Sequence, residues 1–488
     1  MMIFDFKPEV RSTVFVIGDL ILDHYISGNS QRISPEAPVP VVDVSNESFT
    51  LGGCANVAAN LASLGTEVHI MSVVGSDESA DIIKKMASNL DINLSGVIAT
   101  TDRKTSRKTR VLVGQQQIVR FDVETKCDIG ASQQNQLLET FRKKITCSSV
   151  DAVILSDYGK GSLPKALIRN IIDLCREMGI LILCDPKGID FSRYYGCTAL
   201  TPNRLEAGLA AKVKITDDKT LKFVGQKLLK ECGLSFLIIT LSGDGIALFS
   251  GEEMRLFPVK TRDIFDVSGA GDTVIASLTL ALCKGLDMAK ACEIANIAAG
   301  IVVSKPGTAT VSVNDIMEFN KPSSTRIKTK IVSLADLVQQ VDRLRSSGKQ
   351  IVFTNGCFDL IHAGHVLYLE KASTFGDILI VALNADESVK RLKGGGRPIN
   401  QANDRAIILG SLSSVDYIVI FEEDTPLKVL SKVLPDVLVK GSDYTVSNVI
   451  GADMVQKYGG RVELVDLVEG RSSTNLIDQI ENNKGRDL

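Results

Sequence analysis

The chain has 488 residues, 44% hydrophobic and 23% charged, with Lys plus Arg 55 against Asp plus Glu 58 and a formal charge of −3. Such a length predicts two to four domains with sizeable cores, and the near-neutral balance argues against a nucleic-acid or anionic-membrane surface. No apolar run reaches the roughly 18 residues of a spanning helix, and Met1–Val10, carrying Asp5 and Glu9, lacks a signal-peptide core, so the expectation is a cytoplasmic protein with reduced, mostly buried cysteines.

Short β-branched runs at Val14–Ile17, Val153–Leu155, Ile180–Leu183 and Phe236–Thr240 alternate with stretches of helical spacing such as Pro164–Glu177 and Thr220–Glu231. Strand–helix alternation predicts an α/β fold with a mostly parallel sheet covered on both faces, ligands binding beyond the carboxyl ends of the strands. The polar, basic stretch Asn320–Lys330 breaks this pattern and reads as a linker. The expected division is therefore a domain over 1–320, a linker over 321–330 and a second α/β domain over 331–488. That domain opens with a helix carrying Leu334, Leu337, Val338, Val341 and Leu344 on one face and continues with a strand from Gln350 to Thr354.

In chain order, the first domain offers these chemical groups. Gly18–Asp23 follows the first strand and supplies Asp19 and Asp23 as candidate ligands for substrate hydroxyls. Arg32–Pro40 is a proline-stiffened segment suited to a lid strand or edge. Gly52, Gly53 and Asn56 precede a small-residue helix, a motif equally compatible with close helix–strand packing. Lys104–Arg110, with Arg120, forms a basic strand that an already phosphorylated substrate would need and an uncharged one would not. Arg107 or Arg110 is the better phosphate ligand because guanidinium binds bidentately; a solvated basic strand is the alternative. Lys160, in Ser156–Gly161, can neutralise a transferring phosphate, and Asp157 can contact a hydroxyl or metal or simply begin a turn. Asn203 and Glu206 can position Mg-bound phosphates or cap a helix. Ser242, Gly243 and Gly245 form a small loop after a strand.

The strongest signal is Asp266–Thr273, before a helical run over Val274–Cys283. Gly269, Ala270 and Gly271 let backbone N–H groups approach an anion at a helix N-terminus. Asp272 then supplies the carboxylate base that an alcohol nucleophile requires. A glycine-rich turn with an Asp cap is the bland alternative.

In this order and spacing these elements resemble the ribokinase-like sugar kinases over about residues 10–320. The resemblance implies a three-layer α/β/α domain with a small β lid. It implies Asp272 as base, Gly269–Gly271 as anion hole, Asn203 and Glu206 toward ATP–Mg, and Ser242–Gly245 along the nucleotide. Asn296 then falls in the helix bordering the adenine site, and Gly52, Gly53 and Asn56 fall on the sugar side.

In the second domain, Phe353–His365 leaves a strand and enters a helix. His362 and His365 share one helical face, with Gly364 between them allowing close phosphate approach. Zinc is a poor reading, because the chain's other histidines, His24 and His69, lie far upstream. The segment resembles the H-x-G-H nucleotidyltransferase superfamily over about residues 345–485, implying a Rossmann-like domain. Asn355, Gly356, Phe358 and Asp359 then line the nucleotide, and Asn384–Arg397 forms a basic loop containing Lys393. Lys440 contacts nucleotide or acceptor phosphate, and Ser472, Ser473 and Thr474 hold the outer phosphates. Here His and cations suffice, because a phosphate nucleophile is already ionised at neutral pH.

A sugar kinase fused to a nucleotidyltransferase suggests two steps of one pathway. With Asp157–Gly161 and Arg32–Pro40, the pairing resembles the bifunctional enzymes that activate heptose phosphates with ATP; Gly395–Gly396 departs from their pattern. The resemblance implies Mg2+ in both sites, a monovalent cation as a further possibility, small-molecule substrates only, and a homodimer or higher homo-oligomer. Two alternatives stay open: another sugar or nucleoside kinase fused to a cytidylyl- or adenylyltransferase, and a chain in which one half only binds nucleotide.

Overall fold

The computed structural model describes residues 11–114, 116–259, 267–305, 308–320 and 323–466, with the backbone alone at 320 and 323–326. The chain divides into two compact units, Met1–Asn320 and Lys321–Leu488. None of the described helices is long and apolar enough to cross a membrane.

The first unit contains β1 (Thr13–Gly18), β2 (Leu20–Ile33), β3 (Pro40–Gly53), β4 (Glu67–Gly75), β5 (Asn93–Thr100), β6 (Ser106–Val113), β7 (Gln116–Val123), β8 (Ala152–Ser156), β9 (Leu181–Asp185), β10 (Ala199–Leu200), β11 (Phe236–Thr240), β12 (Ile246–Ser250) and β13 (Glu253–Phe257). Nine of these form one sheet in the order β13-β12-β11-β10-β9-β8-β1-β4-β5. Pairing is parallel from β5 to β11, and β12 and β13 add an antiparallel edge. Strand alternation splits the core into two layers. Val14 and Val16 face the helices Cys54–Ser63, Ala270–Cys283 and Met288–Val303. Phe15 and Ile17 face Ala131–Cys147, Lys165–Glu177 and Asp218–Glu231. The result is the three-layer α/β/α domain expected. Its strand order reverses where β1 meets β4 on one side and β8 on the other, which puts the binding crevice at the carboxyl ends of these strands.

The lid is a four-stranded sheet in the order β3-β2-β6-β7. Arg32–Pro40 is not one extended strand. Its ends close β2 and open β3, and Ser34–Val39 is the connection between them, where Ser34 N donates to Val39 O at 2.8 Å; the prolines inside it stiffen a turn, because they offer no N–H for a ladder.

The second unit adds β14 (Ile351–Gly356), β15 (Ile378–Asn384), β16 (Tyr417–Phe421), β17 (Val437–Gly441) and β18 (Arg461–Val465), all parallel, in the order β16-β15-β14-β17-β18. Phe353 and Ile380 point into one helical layer and Val352 and Val381 into the other. Within the expected linker, Ser323–Lys330 is helical. Lys330 Nζ docks the end of that helix on the second unit, donating to Leu412 O at 2.9 Å and Val415 O at 2.6 Å.

Two candidate phosphate-chemistry sites

Asp272 lies in the first turn of the helix Ala270–Cys283, which begins at Gly269 with φ 78°. A Cβ on Gly269 would stand 2.7 Å from Asn56 Nδ2, whereas one on Gly271 would meet nothing within 4 Å. The helix start is therefore tight against Asn56 and open at Gly271. Asp272 is 5% exposed. Its Oδ1 accepts from the Tyr158 hydroxyl at 2.6 Å and its Oδ2 from Asn56 Nδ2 at 2.7 Å. Burial pushes this carboxyl up to about 6, against the lowering effect of both hydrogen bonds. A buried carboxylate poised near neutrality is chemically suited to take a proton from an alcohol. Asn56 is itself held by Asn60, whose Nδ2 donates to Asn56 O at 3.0 Å, and Thr273 Oγ1 donates to Asn60 Oδ1 at 3.2 Å.

The other sugar-side candidates divide by function. Asp19 follows β1, but its carboxylate is spent on the chain. Oδ2 accepts from the backbone N of Tyr158 and of Lys160, each at 2.9 Å, and Oδ1 from Ser162 N at 3.0 Å. It builds the loop after β8. Gly53, at φ 57°, caps the helix Cys54–Ser63, and a Cβ there would stand 2.5 Å from Asp19 O. Asp23 is buried, pairs with Arg110 and presses its Oδ2 onto Gly52, where a Cβ would sit 2.2 Å away. Lys160 pairs with Glu124 at 2.5 Å, so the loop also meets the end of the lid.

Register separates the lid cations. Asp23 pairs with Lys108, Tyr25 with Arg110, and Arg110 with Arg120 across β2, β6 and β7. Directly paired residues share a face and neighbours along a strand alternate. Lys108, Arg110 and Arg120 therefore stand with Asp23 on one face, and Arg107 stands on the other, beside Thr109 and His24. The polar run Lys104–Arg110 gives no sign of which parity faces inward, so the sequence could not separate Arg107 from Arg110. Lys108, part of the basic run but passed over there in favour of the arginines, lies with its Nζ 5.6 Å from the Tyr158 ring centroid. Burial and three neighbouring cations, opposed by Asp23, hold its ammonium below the usual range.

The nucleotide-side elements are also brought together. Asn203 bridges to Thr240, and Arg204 pairs with Asp244 in the loop Ser242–Asp244. Ser242 adopts φ 55° and Gly245 φ 97°. A Cβ on Gly245 would stand 2.0 Å from Phe257 O, while Gly243 has nothing within 4 Å. Asn296 Nδ2 donates to Phe257 O at 3.1 Å and to Pro258 O at 2.9 Å, so it fixes the end of β13. Asn203 and Glu206 form a reciprocal capping box on the helix Arg204–Ala211, and Glu206 also pairs with Lys187 at 2.5 Å. The helix-cap alternative is thus realised in the geometry. Asp185, missed in the sequence, lies within electrostatic reach of both Asp272 and Glu206, and burial and those carboxylates raise its pKa. Asp185 and Glu206 are two carboxylates within electrostatic reach of each other, and Gly243 and Gly271 leave open space at the two turns.

In the second unit a cleft of about 570 Å³ opens at the carboxyl ends of β14 and β15, lined by Asn355, Phe358, His362, His365, Lys393 and Lys440 among others. The His362 and His365 rings stack at 3.9 Å, and Phe358 lies 5.4 Å from His365. Phe358 holds φ 44°, a strained value for a bulky residue, and a Cβ on Gly356 would stand 3.0 Å from its ring. Burial, His362 and Lys393 lower His365 to about 4, so it is neutral at pH 7. Lys440 Nζ donates to Asn355 O at 2.9 Å, and burial lowers it to about 8.

Asp359 does not face the cleft as a free ligand. It is 2% exposed and accepts from Arg397 Nε and from the backbone of Ile399 and Asn400. Arg405, also missed, is wholly buried and donates to Asn400 O, Cys357 O and Asp386 Oδ1. The expected basic loop is a helix over Asp386–Lys393, with acids in its first turn and Lys390, Arg391 and Lys393 in its last, as the helix dipole favours. Ser472, Ser473 and Thr474 lie outside the described residues.

These geometries agree with what the chain resembles. The pfkB family of carbohydrate kinases matches residues 11–316, and the cytidylyltransferase-like family matches residues 353–479. The chain is 45% identical over 469 residues to the bifunctional protein HldE of Sulfurimonas denitrificans, covering 96% of this chain and 97% of that one. It is 47% identical to the same protein of Geobacter metallireducens, covering 95% of each. Among solved structures, Arabidopsis thaliana ribokinase complexed with ribose and ATP aligns at TM-score 0.51 and 17% identity, over 64% of this chain and 100% of that one. Escherichia coli phosphofructokinase-2 in complex with potassium aligns at 0.54 and 16%, over 64% and 98%. At such identities these two structures speak to the fold of the first unit alone.

Proposed function

The chain belongs to the HldE family of bifunctional proteins, and from that membership we propose that it makes ADP-heptose in two ATP-dependent steps. It is a bifunctional transferase, a carbohydrate kinase followed by a nucleotidyltransferase. The first unit phosphorylates D-glycero-β-D-manno-heptose 7-phosphate at O1, giving the 1,7-bisphosphate and ADP. After a phosphatase on another chain removes the 7-phosphate, the second unit joins heptose 1-phosphate to the α-phosphorus of ATP and releases pyrophosphate. The product feeds lipopolysaccharide core synthesis in the cytoplasm.

The observation that carries this reading is the contrast between the two sites. In the first, a buried carboxylate with its pKa at about 6 stands at a glycine-opened helix start. In the second, two stacked imidazoles and a buried lysine stand in a cleft. An alcohol nucleophile needs the base; a phosphate nucleophile needs only positioning and charge stabilisation.

In the kinase, Asp272 takes the O1 proton as the backbone N–H groups from Gly269 to Gly271 stabilise the transferring phosphoryl group. Lys108 and Arg110, on the inner lid face, receive the 7-phosphate. Asp185 and Glu206 would hold Mg2+, which supplies charge neutralisation for the ATP phosphates. Ser242–Gly245 and Asn296 border the nucleotide. In the transferase, His362 and the neutral His365 donate to the triphosphate, with Lys393 and Lys440 carrying the compensating charge. The chain acts as a homo-oligomer, a reading supported by Val119, Phe121 and Val123, all exposed on the outer lid face.

The test is phosphorus NMR of the purified chain with Mg-ATP and the heptose 7-phosphate. Heptose 1,7-bisphosphate and ADP are expected, and both should be absent with Asp272→Asn. Heptose 1-phosphate should yield ADP-heptose and pyrophosphate with either chain. An enzyme that turns over other sugars and ignores both heptose phosphates would overturn the assignment.

A further inference from the structure

Resting on Asp272 as the kinase base, we propose that Tyr158 is its positioning residue. The phenol fixes one oxygen of the base and stabilises its ionised form. Both Asp272 oxygens carry a side-chain donor, but the two donors have different origins. Asn56 Nδ2, at 2.7 Å, comes from a buried helix and an amide network. The Tyr158 hydroxyl, at 2.6 Å, comes from the loop after β8. That loop is set by the three backbone bonds to Asp19 and by Gly159 N donating to Asp157 Oδ1 at 2.8 Å. It turns through Gly159 at φ 65° and Gly161 at φ 88°, and a Cβ on Gly161 would stand 2.0 Å from Cys127 O. Asp19 therefore acts on the chemistry at one remove, through the phenol.

The phenol stays a donor throughout the working range, because burial and Asp272 itself push its ionisation well above the usual value. Among the described residues, the other groups that face the base are Asn56, Asp23 and Lys108, and Asp185 and the Cys54 thiol lie within electrostatic reach of it. Burial and Asp23 favour the protonated acid, while Tyr158, Asn56 and Lys108 favour the carboxylate. Losing the tyrosine donor shifts that balance toward the acid, so the base needs a higher pH to ionise.

The test is kcat of the full chain against pH, at saturating Mg-ATP and heptose 7-phosphate. The substrate phosphate titrates in the same range in every variant, so the difference between variants isolates the base. Tyr158→Phe should move the acidic limb up by about one pH unit, the order expected when a carboxylate loses a hydrogen bond, and lower the plateau roughly tenfold. Installing 3-fluorotyrosine at 158 gives a stronger donor of nearly the same shape and should move the limb down. A purely packing role predicts an unmoved limb in both. An inactive Asp272→Asn with the limb unmoved in both tyrosine variants overturns this proposal alone. Turnover retained by Asp272→Asn overturns the base and the proposal together.

Discussion

Arg397 donates from Nε to Oδ2 of Asp359, while Oδ1 of the same carboxylate accepts from the backbone of Ile399 at 2.7 Å and Asn400 at 3.1 Å. One buried carboxylate thus pins the chain after Gly394–Gly396 to the turn that leads into His362. Asp359→Asn keeps the shape but leaves Arg397 facing a neutral amide. Adenylyl transfer should fall by roughly a hundredfold, the cost of misplacing reacting groups by about an ångström. Kinase turnover on the same chain should be unchanged, which excludes global unfolding. Pyrophosphate release and ADP formation, measured separately, check both arms.

The lid register makes a prediction that side-chain chemistry alone would miss. Lys108 stands on the face of Asp23 and Tyr158, and Arg107 on the opposite face. Lys108→Met should raise KM for heptose 7-phosphate by about tenfold or more, the worth of a charge-assisted phosphate contact. Arg107→Met should leave KM nearly unaltered, although arginine is ordinarily the better phosphate ligand. Repeating the assay with the unphosphorylated heptose should erase the Lys108 effect. An equal KM increase in both variants would contradict the face assignment.

What was legible in the sequence was local. Gly269–Asp272 announces a helix start and a carboxylate within four residues, and the structure has both. The strand runs around Val14 and Phe353 announce sheets buried on both faces, and the two-layer cores follow. Pairings across the chain left no trace. Nothing near Tyr158 marks it as a partner for a carboxylate 114 residues away, and Arg405 sits in a helix whose pattern gives no hint of its three acceptors. Asp19 shows the opposite failure: an acidic residue at a strand end was visible, but its three backbone partners exist only once the loop after β8 closes on it. The Asn203–Glu206 spacing is itself the sequence signature of a capping box, so there the sequence held both readings at once.

His365 should titrate well below the ordinary imidazole range in the ligand-free chain. Its ring is half-buried against Phe358 and His362, and its pKa is lowered to about 4. The imidazole is therefore neutral from pH 8 down to about pH 5 and charges only below that. With four histidines in the chain, proton–nitrogen NMR can follow each, and His365→Gln assigns the signal. Adding Mg-ATP should raise this midpoint, because phosphate charge favours the imidazolium. A midpoint near 6.5 in the free chain would show that the stacked, desolvated arrangement does not persist in solution.

Glu206 lets the structural and chemical readings of one residue be separated. Its Oε2 accepts from Asn203 N at 3.1 Å within the capping box, and its Oε1 pairs with Lys187. Glu206→Gln keeps an acceptor for the cap and removes the charge. Glu206→Ala removes both. If the residue only caps the helix Arg204–Ala211, glutamine should behave as the native chain, and alanine should cost about 1 kcal/mol of stability in denaturant unfolding of the kinase unit. If it also shares Mg2+ with Asp185, glutamine should keep that stability and yet lower kinase turnover by at least about tenfold at low Mg2+, with partial recovery as Mg2+ is raised. The second outcome is the expected one, because Asp272 and Glu206 both raise the proton affinity of Asp185, a repulsion between carboxylates that a divalent cation would relieve. Turnover of Glu206→Gln equal to the native chain at every Mg2+ concentration would leave the residue a helix cap and move the metal assignment to Asp185.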